Sequence, residues 1–171
     1  MCFQLLTLSS QPSLSSNNDY NANYVRHYIH EIDATTNSRV IFQRNSQDRW
    51  NPPPAGYVKV NFDAGYNAIN KSSTLGVIFR DPEGLLLAAC TCRIFHIPSP
   101  KIAESRACEQ AVALASDLGF QKIIVEGDAW SVIKKARDSS FDMSDTFGLI
   151  RNIKRKSRDF EVVKFTNICR Q

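Results

Sequence analysis

Three carboxylates in this 171-residue chain fall at places where more than solvation is at stake. Asp63 closes the run Val58-Lys59-Val60-Asn61-Phe62-Asp63, in which Val58, Val60 and Phe62 alternate with polar residues, the period-two pattern of a strand with one face in a core. Asp63 therefore points away from the apolar set. Glu104 lies early in a segment opened by Ser99-Pro100, and Asp128 follows the apolar run Ile123-Ile124-Val125. Each has an ordinary reading by itself: a turn residue before Ala64-Gly65, an acid favoured by a helix dipole, and a helix N-cap. Together they form a potential acidic cluster. Converging carboxylates repel one another unless a cation sits among them.

The elements that must position them are legible from pattern. Val58 to Gly65, Ser73 to Arg80 and Leu85 to Phe95 read as an antiparallel meander, with Asp81-Pro82-Glu83-Gly84 as the tight turn before the third strand. Ser99 and Pro100 are the N-cap and first position of a helix whose stripe is Ala103, Ala107, Ala111, Leu114 and Leu118, and Gly119 ends it. The small alanines imply close packing on a sheet. A buried strand at Ile123 to Val125, a helix over 129–137 capped by Asp128, a basic helix over 144–158 and a strand over 161–167 complete the order. Arg151, Lys154, Arg155, Lys156 and Arg158 on the third helix read first as a solvated face.

Ahead of this lies a polar leader, residues 1–49, rich in Ser, Asn, Gln and Thr and expected to hold little fixed structure. Tyr24, Val25, Tyr28, Ile29 and Ile32 recur at helical spacing and allow one short helix there. Trp50-Asn51-Pro52-Pro53-Pro54 marks the boundary, since successive prolines favour polyproline II. The apolar fraction of 43% suits one globular domain, and a net charge of +4 permits a nucleic-acid partner without requiring one. Five scattered cysteines read as reduced thiols of an intracellular protein, nuclear or cytoplasmic, and Cys90-Thr91-Cys92 with His96 lacks the second ligand pair of a zinc site. No apolar run reaches the roughly 18 residues of a membrane helix, and a monomer without membrane partners is expected.

From Trp50 to Gln171 the chain resembles the ribonuclease H type domain, in particular the retroelement-derived, reverse-transcriptase-like group found in plants. The resemblance is carried by Trp50-x-Pro-Pro, by Val58-Lys59-Val60-Asn61-Phe62-Asp63, by Gly76-Val77-Ile78-Phe79-Arg80-Asp81-x-x-Gly84, by Ala103-Glu104, and by Val125-Glu126-Gly127-Asp128. The family's Asp-Gly-Ala is replaced by Asp63-Ala64-Gly65, which leaves the carboxylate in place. It implies an α/β fold with a mixed sheet: three antiparallel strands, then helix, strand, helix, helix and strand. It also implies that Asp63, Glu104 and Asp128 hold two Mg2+ ions, replaceable by Mn2+, over a phosphodiester in the RNA strand of an RNA/DNA hybrid. Hard carboxylate oxygens suit magnesium, and paired metals serve both the attacking water and the leaving oxygen. Selection of hybrid through 2′-hydroxyls and groove shape would follow, with Asn61 and the 65–72 loop as candidate contributors.

The resemblance further implies a fourth acid on a helix after the last strand. The chain reads Ile168-Cys169-Arg170-Gln171 where that helix would begin, so the expected domain, 50–171, lacks this helix and the fourth ligand. Two functions follow from these expectations. One is a divalent-metal-dependent endonuclease; the other is a catalytically weak or inactive nucleic-acid-binding module or retroelement-derived fragment.

Overall fold

The computed structural model describes residues 4–7, 50–138 and 144–168. The chain divides into two compact units, Met1–Leu5 with Pro52–Gln171, and Leu6–Asn51. The helix expected over 24–32 lies outside the described residues.

The meander is present as β2 (Val58–Asn67), β3 (Ser72–Arg80) and β4 (Leu86–Ile94), each antiparallel to the next. The Asp81 carboxylate shapes the turn before β4: its Oδ1 accepts from the backbone N–H of Glu83 at 3.0 Å and of Leu85 at 2.8 Å. Then come α1 (Pro100–Asp117), β5 (Lys122–Gly127), α2 (Trp130–Arg137), α3 (Phe147–Lys156), a 3-10 turn (Ser157–Asp159) and β6 (Val162–Asn167). Helix α3 starts at Phe147 where the pattern placed its start at Ser144. Ser144 Oγ accepts from Thr146 N–H at 3.4 Å, and a side chain bonded to nearby backbone in this way favours a turn over a helix interior.

A strand β1 (Gln4–Thr7) joins the sheet, whose order is β1-β4-β3-β2-β5-β6. Little fixed structure was expected in that stretch. The open N–H and C=O groups of an edge strand accept a further strand through the backbone, so composition is a poor guide there. β5 runs parallel to both β2 and β6, which makes the sheet mixed. No described helix is long and apolar enough to cross a membrane.

Val60, Phe62 and Ala64 of β2 pack in one cluster with Leu75, Val77 and Phe79 of β3 and with Ala103, Ala107 and Ala111 of α1. Val60, Phe79, Ile123 and Val125 are fully buried, and each such side chain contributes roughly 1.5–3 kcal/mol. The end of α1 is a Schellman motif. Gly119, at φ +78, donates to Ser116 O (3.0 Å) and Phe120 N–H to Ala115 O (3.1 Å), while the Phe120 ring stacks 5.7 Å from Phe79. At the other end Ser99 Oγ accepts from Ile102 N–H at 3.3 Å and Pro100 occupies the first turn. Ser99→Ala is expected to cost about 1 kcal/mol in urea unfolding.

Cys90, Cys92 and Cys108 are buried free thiols, the structural role expected of the first two. Burial, and then the neighbouring carboxylates of Glu109 and Glu104, push the Cys108 thiol far above its ordinary range. The unfolded chain then releases this proton from about pH 9 upward while the folded chain retains it, so the folded state binds more protons and stability falls as pH rises. Stability is expected to drop by about a kcal/mol per pH unit above 9, and Cys108→Ala to remove that share of the slope. Urea unfolding from pH 8 to 10.5 measures it, and equal slopes in both proteins would refute it.

Candidate metal and active site

The site arises where two strands part. β5 pairs with β2 from Val58↔Ile123 to Asn61↔Glu126, whereas β2 continues beside β3 as far as Asn67↔Ser72. Among the described residues no strand pairs with β2 past Asn61 on its β5 side, at the carboxyl end of β5. Open α/β sheets bind ligands in such crevices, outside the carboxyl ends of strands.

All three expected carboxylates meet there. Asp63 stands on the open stretch of β2, Asp128 follows the last residue of β5, and Glu104 projects from α1. One oxygen from each lies within 4.8 Å of the others. Two oxygens on opposite sides of an octahedral magnesium are about 4.1 Å apart, twice the Mg–O bond, so the set fits a hard divalent ion after a small closure.

Two of the ordinary readings give way to this geometry. Asp63 is no turn residue, because β2 runs on to Asn67 and Asp63 pairs with Gly76 mid-strand. Its Oδ1 accepts from Ala64 N–H at 2.9 Å, which orients the carboxylate. Asp128 is not the cap of α2. The N-cap is Ala129, which makes no side-chain capping bond. Glu104 is held through α1: besides the Ser99 cap, the Tyr66 hydroxyl donates to the carbonyls of Ile97 (3.3 Å) and Pro98 (3.4 Å), tying the approach to α1 onto β2.

Asn61, a candidate for substrate contact, donates its Nδ2 to Glu126 Oε2 at 2.9 Å. Lys59 Nζ meets Oε1 of the same carboxylate at 3.1 Å, a buried ion pair between β2 and β5. Nothing local in the sequence reveals that pair, since its members are 67 residues apart. Trp130 was also passed over. It is the first residue of α2, next but one to Asp128, and 55% exposed. In the sequence only its place two residues after Asp128 marks it, because its exposure belongs to the folded structure.

The basic face of α3 is partly paired, Lys156 with Asp117 (3.8 Å) and Asp159 (3.9 Å). Lys154 instead lines a groove of about 590 Å³ with Arg137, Lys164, Ser157 and Thr166, and the described lining includes no carboxylate.

The five-strand sheet β4-β3-β2-β5-β6 with its helices is that of the ribonuclease H-like fold. The RNase H1 of the halophilic archaeon Halobacterium salinarum superposes with a TM-score of 0.60 at 22% identity, over 67% of this chain and 86% of that one. The N-terminal RNase H domain of a Mycobacterium tuberculosis protein gives 0.60 at 17%, over 67% and 88%. LC11-RNase H1, isolated from compost and solved in complex with an RNA/DNA hybrid, gives 0.59 at 16%, over 66% and 86%. No curated protein matches the chain in sequence. The chain belongs to the reverse transcriptase-like family, whose model matches residues 61–171, more than half its length.

Proposed function

We propose that the protein is a divalent-metal-dependent endonuclease acting on the RNA strand of RNA/DNA hybrids. The observation that carries this is the convergence of Asp63, Glu104 and Asp128 in the crevice between β2 and β5. Membership of the reverse transcriptase-like family supports it, as does the likeness to three ribonucleases H, one of them bound to such a hybrid.

Asp63 and Asp128 would hold Mg2+ from opposite walls of the crevice, with Glu104 from the helix. When bound, the ions supply a more acidic water and a counter-charge for the leaving 3′ oxygen. The protein contributes position. Asp63 is set by a strand paired on one side and oriented by Ala64 N–H, and Glu104 by a capped helix whose approach is tied to β2. The exposed Trp130 offers a face on which a base or sugar can stack, and the groove at Arg137, Lys154 and Lys164 offers positive charge to a polyanion.

Incubation of the full chain with a labelled RNA/DNA hybrid tests this. Cleavage of the RNA strand is expected in Mg2+ or Mn2+ and not in EDTA. Binding of hybrid with no metal-dependent cleavage by folded protein would overturn the enzyme and leave a nucleic-acid-binding module. Trp130→Ala is expected to weaken hybrid binding roughly tenfold, since stacking on an aromatic is worth about 1–3 kcal/mol per base. Fluorescence anisotropy of a labelled hybrid measures this, and unchanged affinity would remove Trp130 from the interface.

A further inference from the structure

On the face of β2 turned away from the apolar core, Lys59, Asn61 and Asp63 follow one another at every second position. The first two converge on Glu126 and occupy both of its oxygens, Lys59 at 3.1 Å and Asn61 at 2.9 Å. Lys59 and Glu126 are each 6% exposed. Burying an ion pair costs desolvation that the Coulomb attraction often fails to return, and apolar residues of similar volume commonly hold such a place as well or better. Stability alone is thus a weak reason for this arrangement.

Its location supplies a stronger one. Asn61 and Glu126 are the last paired positions before β2 and β5 part; two residues further on, Asp63 stands on β2 and Asp128 just past the end of β5. A slip of one residue between the strands would carry one carboxylate about 3.3 Å along the crevice relative to the other. It would also turn the paired side chains to opposite faces. A two-pronged tie at the point of divergence prevents both.

We infer that Lys59, Asn61 and Glu126 are positioning residues for the carboxylate site. They fix β2 against β5 in the register that brings Asp63 and Asp128 to one ion, and Lys59 holds the Glu126 charge in an ion pair. The inference rests on reading Asp63, Glu104 and Asp128 as metal ligands. Partners hydrogen-bonded to metal ligands typically matter 10–100-fold for metal affinity, and a shift of β2 against β5 would disturb two ligands at once.

Calorimetric titration of Mn2+ into the full chain and its variants tests the inference, with urea unfolding run alongside. Glu126→Ala is expected to bind Mn2+ 10–100-fold more weakly than the wild type. Glu126→Gln retains an acceptor for Asn61 but loses the charge that Lys59 meets, so a severalfold loss is expected. A purely structural role would lower the unfolding midpoint and leave the Mn2+ affinity of the folded protein unchanged, which would overturn the inference. If Glu126→Ala does not fold, Glu126→Gln decides by the same criterion. Wild-type protein that binds no Mn2+ would overturn the metal site and this inference together. Tight wild-type binding with unchanged variants would overturn the inference alone.

Discussion

Asp63→Asn is expected to lose metal-dependent cleavage of RNA/DNA hybrid by a factor on the order of 10³, about 4 kcal/mol of transition-state stabilisation. The substitution keeps size and shape and removes one negative charge from the ion's shell. The amide oxygen can still accept from Ala64 N–H, and the backbone pairing with Gly76 is untouched, so the fold should be retained. Three carboxylates whose oxygens lie within 4.8 Å repel one another without a cation. In EDTA the variant should therefore unfold at the same urea concentration as the wild type or a higher one, a stability–activity trade-off of the usual kind. Parallel cleavage assays at saturating Mg2+ and Mn2+, with unfolding curves in EDTA, check both halves. A variant that cleaves at the wild-type rate would place the chemistry elsewhere. One that loses activity by unfolding would make Asp63 a structural residue.

The second large effect is steric. A methyl group added at Gly127 would lie 2.4 Å from Cζ of Phe62 and within 2.8 Å of both ring Cε atoms. Phe62 is 4% exposed and belongs to the core cluster, so its ring has little room to withdraw. Forcing atoms into a packed core usually costs 1–3 kcal/mol and sometimes more. Gly127→Ala is expected to cost roughly 2 kcal/mol and Gly127→Val roughly 3 or more in urea unfolding. Because Asp128 is the next residue, Mn2+ affinity should fall as well. Phe62→Leu removes the atoms that clash, so Gly127→Ala combined with Phe62→Leu should be less destabilised than the sum of the single changes. Strict additivity, or a Gly127→Ala protein as stable as the wild type, would show that the ring relaxes freely.

Much of this was legible in the residues themselves. The alternation from Val58 to Phe62 predicts β2, the Asp81 turn separates β3 from β4, and Ser99-Pro100 with Gly119 brackets α1 to within a residue or two. Each of these signals acts over a few positions, through backbone preference or a hydrogen bond to a near neighbour, so it survives without knowledge of the fold. The three carboxylates were likewise identifiable as candidates, because their order along the chain resembles that of a known family.

Other features depend on partners far away in sequence. Asp128 has the local look of a helix cap, and only the parting of β5 from β2 gives it neighbours on another strand and on α1. Gly127 looks unremarkable until β2 lies alongside and Phe62 fills the space over it. Lys59 is one of the polar residues alternating along β2 and Glu126 part of a short motif, and the sheet order β3-β2-β5 makes them a buried pair. By itself the sequence determined the elements from β2 onward and their apolar faces through local backbone and side-chain preferences, and which carboxylates were worth watching through their order along the chain. The tertiary structure alone decided which of those groups share a crevice and what holds them there, because a sheet joins residues more than sixty positions apart only once β5 has crossed over to pair with β2.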